Sequence, residues 1–210
     1  MQNILLAFEF IALGCSFFLL HPKNSKDYHL IILAMLLTCV AESVGYYLKV
    51  YQSQPTTWVY NISVPCTIII YATLLGKFLS KFKIHLFTIA YSIFCILNLL
   101  YFQTNERFCT YNYIIGALFL ATLASMYLIE LVQDPKYISL VSVPMFWIAS
   151  GIMLLYIPKS ILYSVFEYLV YNDIINNEFG VIFFIISSVL GIVFFSLISI
   201  ACTCKLIFKT

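Results

Sequence analysis

Seven long apolar stretches, separated by short polar segments, dominate this 210-residue sequence. Each stretch is close to the roughly 20 apolar residues that an α-helix needs to cross the hydrocarbon core of a membrane. The stretches cover residues 2–20, 29–49, 57–79, 84–102, 111–132, 138–158 and 180–206, and the sixth can be extended to residue 171. The pattern predicts an all-α fold: a single domain, residues 1–210, built as a bundle of seven transmembrane helices.

The composition excludes the main alternatives to a helical membrane protein. Hydrophobic residues make up 63% of the chain and charged residues 10%, whereas water-soluble domains contain about 45–50% and about 25%. The same apolar content excludes a disordered chain, which needs low hydrophobicity. Strands of a membrane β-barrel alternate apolar and polar residues, but a stretch such as 181–200 is apolar at odd and even positions alike.

The positions of the basic residues predict the orientation of the bundle, because cytoplasmic loops are enriched in lysine and arginine. Eight of the 11 basic residues lie in the first, third and fifth loops or near the C-terminus: Lys23, Lys26, Lys77, Lys81, Lys83, Lys136, Lys205 and Lys209. The other three, on the opposite side, are Lys49, Arg107 and Lys159. We therefore expect the N-terminus outside the cell and the C-terminus in the cytoplasm. A net charge of only +2 argues against a nucleic-acid partner.

The sixth apolar stretch contains a proline about two-thirds of the way along. Proline removes a backbone donor and kinks or ends a helix. The sequence therefore leaves two outcomes open after Pro158: the helix bends and continues, or the chain leaves the membrane and forms an outer amphipathic turn carrying Glu167.

Few polar side chains interrupt the apolar stretches, and four of them are predicted to share one layer near the outer surface. Glu9, Glu42, Asn61 and Asn98 come from four different helices, and each lies in the outer half of its helix. Tyr46 follows Glu42 by one turn on the same stripe of the second helix. An ionisable side chain within a span costs about 2.5–3.5 kcal/mol, so it usually faces the interior and has a function. These five residues predict an outward-facing ligand-binding pocket.

The same residues also have a structural interpretation. Asn, Ser and Tyr side chains commonly form hydrogen bonds that hold transmembrane helices together, and a buried Glu in apolar surroundings can remain protonated. No basic residue is predicted at this depth, so a pocket here would suit a cationic or hydroxylated ligand, or a proton, rather than an anion. The sequence leaves the pocket and the structural interpretation open.

The sequence contains no catalytic or metal-binding motif of a membrane enzyme. The three aspartates, Asp27, Asp134 and Asp173, all lie in predicted loops, and the three histidines lie at predicted cytoplasmic ends. Intramembrane hydrolysis needs a nucleophile, a base or a metal in the membrane layer. We therefore predict no catalytic residue, no metal ion and no cofactor, and we expect that the protein is not an enzyme.

Several short motifs resemble those of a group of small, uncharacterised bacterial seven-helix integral membrane proteins. They are Glu42 with Tyr46-Tyr47, Trp58-x-Tyr60-Asn61, Glu130-Leu131 with Pro135, and Pro144-Met145-Phe146-Trp147-Ile148-x-x-Gly151 with Tyr156. The group often has a Glu deeper in the third helix, where this chain has Pro65-Cys66. The resemblance implies a multi-pass protein of the bacterial cytoplasmic membrane that is associated with sensor kinases.

Three functions are compatible with these features. The first is a sensory protein that binds a small or lipidic ligand from the outer side and passes a helix movement to a cytoplasmic signalling partner. The second is a small solute or proton-coupled transporter that uses Glu9 and Glu42. The third, a lipid-modifying enzyme, is disfavoured because a catalytic set is missing from the sequence.

Overall fold

Every described segment of the chain is helical or connects two helices. The structure, a computed structural model, describes residues 2–20, 28–79, 84–103, 108–133, 139–171 and 177–207. Within these residues there are seven α-helices and no strand: α1 Gln2–Ser16, α2 His29–Tyr51, α3 Thr57–Phe78, α4 Ile84–Leu97, α5 Thr110–Gln133, α6 Pro144–Tyr171 and α7 Asn177–Ile207. A π-helical turn, Asn98–Phe102, extends α4, and 3₁₀ turns Phe17–Leu20 and Leu140–Ser142 follow α1 and precede α6.

Six helices are long and apolar enough to cross a membrane when α4 is counted together with its π-helical turn, and the apolar part of the first helix is shorter. The six candidate spans run from α2 to α7, and the apolar part of the first helix covers Asn3–Leu19. Large apolar side chains face outward, as shown by Leu86, Ile93 and Ile129, each more than half exposed. In water such a surface would be unfavourable, so a lipid bilayer is the environment that these helices suggest. The predicted all-helical, membrane-type architecture is confirmed at this level.

The sixth helix differs from its predicted bounds at its start. It begins at Pro144, after the 3₁₀ turn, rather than at residue 138, which lies outside the described residues. Proline suits the first helical position, where its missing N–H would have no helical partner. Further along, α6 continues through Pro158 to Tyr171. Of the two outcomes that the sequence left open after Pro158, the structure has the continuing helix, so Lys159 is an interior helix residue.

Six helices form a closed ring and α4 lies outside it. The ring follows the order α1, α2, α3, α5, α6, α7 and back to α1, each helix packing against the next, whereas α4 packs mainly against α3. The core is apolar and fully buried at positions such as Met35, Leu74, Leu123, Ile148 and Ile198.

Contacts between helix ends show which termini share an end of the bundle. The rings of Tyr28, Phe78 and Tyr127 pack together, with centroid distances of 5.8 and 6.2 Å, which joins the start of α2 to the ends of α3 and α5. We call this the Phe78 end. The end of α2, at Lys49, lines one cavity together with the starts of α1, α3 and α7, represented by Leu5, Thr57 and Phe183. We call this the Lys49 end; it is the predicted outer end.

A close approach between helices requires glycine at position 116. A Cβ added to Gly116 would lie 2.5 Å from Tyr91 Oη and 2.6 Å from Ile68 Cδ1. The Tyr91 hydroxyl is held there because it donates a buried 2.8 Å hydrogen bond to the carbonyl oxygen of Asn112. We expect Gly116→Ala to lower the free energy of unfolding by about 1–3 kcal/mol, the usual cost of overpacking a core.

Gly14→Ala is the matched control, since nothing lies within 4 Å of a Cβ at that exposed helical position. It should leave stability unchanged or raise it by up to about 1 kcal/mol, because Ala favours the helix over Gly. Thermal unfolding of both variants in detergent micelles measures the difference. Equal midpoints for the two variants would contradict the observed α3–α4–α5 packing.

Candidate functional site

A cavity of about 140 Å³ lies inside the ring and receives side chains from all six ring helices. We call it the central cavity. Its lining residues are Leu5 and Glu9 on α1, Thr38, Ala41 and Glu42 on α2, Tyr60, Ser63, Val64, Thr67 and Tyr71 on α3, Tyr113 on α5, Leu155, Tyr156 and Lys159 on α6, and Gly191, Phe194 and Phe195 on α7. The peripheral helix α4 contributes no residue to it.

Three ionisable side chains of opposite sign meet in the central cavity. Glu9 is 2% exposed, and Glu42 and Lys159 are half-buried. Lys159 lies within electrostatic range of both carboxyl groups. The Tyr60 hydroxyl donates a 3.0 Å hydrogen bond to Glu42 Oε2. Since an ionisable group inside a membrane span is costly and usually marks a functional path or site, their convergence identifies this cavity as the candidate site.

Three buried oxygen atoms on residues of the central cavity's wall have no hydrogen-bond partner among the described residues. They are Glu9 Oε2, Tyr71 Oη and Tyr113 Oη, and all three residues line the cavity wall. Most buried polar side-chain atoms are hydrogen-bonded to protein or to ordered water. Three unpartnered oxygens around one space therefore indicate that the cavity is built to hold a polar group.

A second cavity of about 430 Å³ continues from the first toward the Lys49 end. We call it the outer-end cavity. The two share the residues Leu5, Glu42, Tyr60, Val64, Tyr113 and Lys159. Aromatic rings form much of its wall: Tyr163 packs against Phe108, Phe183 and Tyr113 at centroid distances of 5.1, 5.2 and 4.6 Å. The central cavity thus has a largely aromatic vestibule on its Lys49 side.

Two ring helices have an interrupted backbone hydrogen-bond ladder beside these cavities. Pro158 of α6 immediately precedes Lys159, and Pro65 of α3 follows the lining residue Val64. A proline leaves the carbonyl four residues earlier without its helical donor and kinks the helix. Such irregularity within membrane helices is tolerated where neighbouring helices or a cavity surround it. The two helices can therefore bend at the level of the site.

The structure brings some of the predicted site residues together and separates others. Glu9 and Glu42 line the same cavity, whereas Tyr46 is half-buried and lines neither of the two cavities. The side-chain oxygen of Asn61 accepts a 2.8 Å hydrogen bond from the backbone N–H of Cys109. Asn61 thus joins α3 to the start of α5, as in the structural interpretation of these polar residues.

Asn98 lies in the π-helical turn after α4, outside the ring. Its Nδ2 donates to Asn112 Oδ1 at 2.8 Å and to Gln103 Oε1 at 3.1 Å. Gln103 in turn donates to Thr110 Oγ1 at 2.8 Å, and Thr110 donates to Glu167 Oε2 at 2.7 Å. Glu167 is therefore a helical residue tied to α5 rather than part of an outer turn. These polar residues form a connection between helices that is separate from the central cavity.

Sequence reasoning missed Lys159, and the expectation of no basic residue at this depth was wrong. The error follows from ending the sixth helix near Pro158. The spacing of Tyr156, Lys159 and Tyr163 at i, i+3 and i+7 already placed them on one helical face. Tyr71 was missed as well, although it continues the stripe of Tyr60, Ser63, Val64 and Thr67 on α3.

Comparison with protein-family models, with curated proteins and with solved structures gave no match to this chain. The resemblance to bacterial seven-helix proteins stays a prediction. Among the residues that the structure describes, no three His, Cys, Asp or Glu side chains lie close enough together to hold a metal ion.

Removal of the cavity's cation should destabilise the protein. We expect Lys159→Met to lower the free energy of unfolding by about 1–3 kcal/mol, less than the roughly 3–5 kcal/mol for a fully buried pair because Lys159 is only half-buried. Lys49→Met, an exposed position at the Lys49 end, is the control and should change little.

A double-mutant cycle separates charge compensation from packing. If Lys159 balances Glu9, the combined variant Glu9→Gln with Lys159→Met loses less stability than the sum of the two single changes. Thermal or denaturant unfolding in detergent micelles supplies the four values. Strict additivity would show that the two side chains share the cavity without interacting.

Proposed function

We propose that this chain is a multi-pass membrane sensor that binds a small amphipathic ligand in the central and outer-end cavities and transmits a movement of α6 to a partner at the Phe78 end. The observation that carries the proposal is the convergence of Glu9, Glu42 and Lys159 on one space inside the ring, beside two tyrosine hydroxyls that have no partner among the described residues. Ligand sites of this kind are concave, mostly apolar and supplied with a few polar groups.

The position of the cavities favours binding from one side over passage through the bundle. The outer-end cavity extends to Lys49 and Thr56, at the predicted outer end. Toward the Phe78 end the ring is filled by fully buried apolar side chains, among them Met35, Leu75 and Leu123. A receptor needs access to its ligand from one side only, and this arrangement supplies it.

The helix α6 is suited to carry the signal. It packs against both α5 and α7, and it holds Lys159 beside the kink residue Pro158. At the Phe78 end, the 3₁₀ turn that precedes α6 contacts α7. The contact is between Cys204 Sγ and the carbonyl oxygen of Ser142, which are 3.6 Å apart. A ligand that moves Lys159 would therefore alter how the start of α6 sits against its neighbours.

In this proposal α1 is the seventh span, the N-terminus lies outside, and the membrane is the bacterial cytoplasmic one. The apolar part of α1 and the turn after it has a length of 17 residues, which reaches the lower limit of about 17–25 residues for a span. It packs against α2 and α7 and places Glu9 in the cavity. With Lys159 inside α6, two basic residues, Lys49 and Arg107, remain at the outer side against eight at the other.

Reporter fusions in a bacterial host test this topology. Green fluorescent protein fused after residue 210 should fluoresce, and alkaline phosphatase fused there should be inactive. The fluorescent protein reports a cytoplasmic position, whereas the phosphatase reports a position outside the cytoplasm. Alkaline phosphatase fused after residue 105 should be active. An active phosphatase at residue 210 would mean an even number of spans or a reversed bundle, and would contradict the proposed orientation.

A transporter is the second candidate, and the three ionisable side chains within the bundle favour it, since such groups also mark proton and solute pathways. In proteoliposomes carrying a pH-sensitive dye, the sensor proposal predicts no proton flux above that of empty vesicles. Proton flux that Glu42→Gln abolishes and Glu130→Gln preserves would favour the carrier.

Signal transmission can be measured without knowledge of the ligand. Spin labels on genetically encoded amino acids at Val132 and Val141, two exposed positions at the Phe78 end, report the α5–α6 distance and leave the native cysteines in place. We expect Lys159→Met to shift this distance by about 1–2 Å, the usual scale of helix shifts in switching proteins. The control is Ile161→Met, an exposed position on the same helix that lines neither cavity, and it should not shift the distance. An unchanged distance in Lys159→Met would contradict transmission through α6.

A further inference from the structure

We propose that the ligand of the central cavity is a small amphipathic primary amine, with its ammonium group at Glu9 and its apolar part in the outer-end cavity. This inference deepens the proposed function and rests on it. Four features carry it: the balance of charge, the unpartnered oxygens, the aromatic walls and the relative sizes of the two cavities.

The charges in the cavity favour a cation. In the central cavity two carboxyl groups face one basic side chain among the described residues, Lys159, so this set, when ionised, is one positive charge short of neutral. The second basic side chain of the site, Lys49, lies in the wall of the outer-end cavity. Glu42 already accepts a hydrogen bond from Tyr60, whereas Oε2 of Glu9 has no partner among the described residues. Glu9 is also the deeper of the two, because it lines the central cavity and not the outer-end one. An incoming cation would therefore compensate Glu9, whereas an anion would meet two carboxylates.

The number of unpartnered oxygens matches the hydrogen-bonding capacity of a primary ammonium. Such a group has three N–H donors and no acceptor. Three residues of the cavity wall, Glu9, Tyr71 and Tyr113, carry a buried oxygen that lacks a partner within the described chain, and each of these oxygens can accept a hydrogen bond. The side chains of Tyr71 and Tyr113 are 1% and 5% exposed, so bulk solvent does not reach them freely.

Aromatic rings surround the position of the proposed cation. Tyr113 stacks on Tyr156 at a centroid distance of 5.9 Å and an interplanar angle of 18°, and Phe194 packs edge-on against Tyr71 at 5.9 Å. Aromatic faces attract a cation within about 6 Å of the ring, and more strongly where water is excluded. The aromatic walls therefore strengthen the binding of an ammonium group beside Glu9, and they do not strengthen the binding of a carboxylate.

The sizes of the two cavities match the two parts of the proposed ligand: the smaller central cavity suits the ammonium group, and the larger outer-end cavity suits the apolar part. The central cavity, at about 140 Å³, is close to the roughly 150 Å³ of an engineered protein cavity that binds benzene. It can hold an ammonium with one or two methylene groups. The outer-end cavity is about 430 Å³ and is walled by Phe108, Phe166 and Phe183, so it can hold a phenyl ring or a short alkyl chain.

Three isosteric probes test the proposed charge: 2-phenylethylammonium, the neutral 2-phenylethanol and the anionic phenylacetate. Each is titrated by isothermal calorimetry into the full chain reconstituted in lipid nanodiscs, with empty nanodiscs as the blank. We expect the ammonium to bind with a Kd of about 1 mM or lower and at least about tenfold more tightly than the alcohol, the scale of one charge-assisted hydrogen bond. Phenylacetate should not bind.

Variants test the placement. Glu9→Gln should weaken ammonium binding by about tenfold or more and leave alcohol binding unchanged, since the amide keeps the shape but not the charge. Glu130→Gln, the same substitution near the Phe78 end, should bind the ammonium as the natural chain does. Tyr71→Phe and Tyr113→Phe should each weaken it by a smaller factor while their rings are kept.

Tighter binding of phenylacetate or 2-phenylethanol than of the ammonium would overturn the ligand class, as would ammonium binding that is insensitive to Glu9→Gln. The absence of ammonium binding at about 1 mM would overturn it too. These failures are distinguishable from failure of the proposed function, because the spin-label distance in Lys159→Met requires no ligand. A shifted distance with no ammonium binding would leave a sensor for a different ligand.

Discussion

The free-energy cost of placing an ionisable group in hydrocarbon governs how the helices of this protein are rotated about their own axes. Each such group within a span carries a penalty of about 2.5–3.5 kcal/mol unless it faces a partner or a cavity. Glu9, Glu42 and Lys159 lie on three different helices, and all three point into one cavity. The outward faces of the same helices can then be wholly apolar. The rotation of α1, α2 and α6, and with it the site, follows from this single constraint.

The irregular backbone of the bundle lies beside that site. Pro65 and Pro158 interrupt α3 and α6, the two helices that supply most of the tyrosines and the only cation of the central cavity as the described residues define it. A carbonyl without its helical donor is tolerated where protein or a cavity covers it. The same interruption lowers the resistance of the helix to bending. A charged group next to a proline inside a helix is a physical basis for coupling ligand binding to a helix movement.

The polar residues that hold the bundle together and those that form the candidate site differ in their hydrogen-bond partners and in whether they line the central cavity. Asn61 and Asn98 are engaged with backbone and side-chain partners on neighbouring elements, and Glu167 accepts two hydrogen bonds from described residues. Glu9, Tyr71 and Tyr113 retain buried oxygens without such partners on the wall of the central cavity. Asn98 Oδ1 is a further such atom, but the Asn98 side chain is held outside the ring by the two hydrogen bonds that its Nδ2 donates. Both groups consist of polar residues in apolar helices, so composition alone could not separate them.

The helical membrane-type architecture could be predicted from the residues alone, because the length and uniformity of the apolar stretches leave no other way to satisfy the backbone in lipid. The sequence also identified Glu9 and Glu42, because carboxyl groups are conspicuous in such stretches. Which residues share the cavity with Glu9 and Glu42 could be seen only once the helices were packed together. Helical periodicity shows which residues share a face of one helix, but it does not show which faces meet. The exclusion of α4 from the ring removed Asn98 from the site. The continuation of α6 past Pro158 brought Lys159 into it.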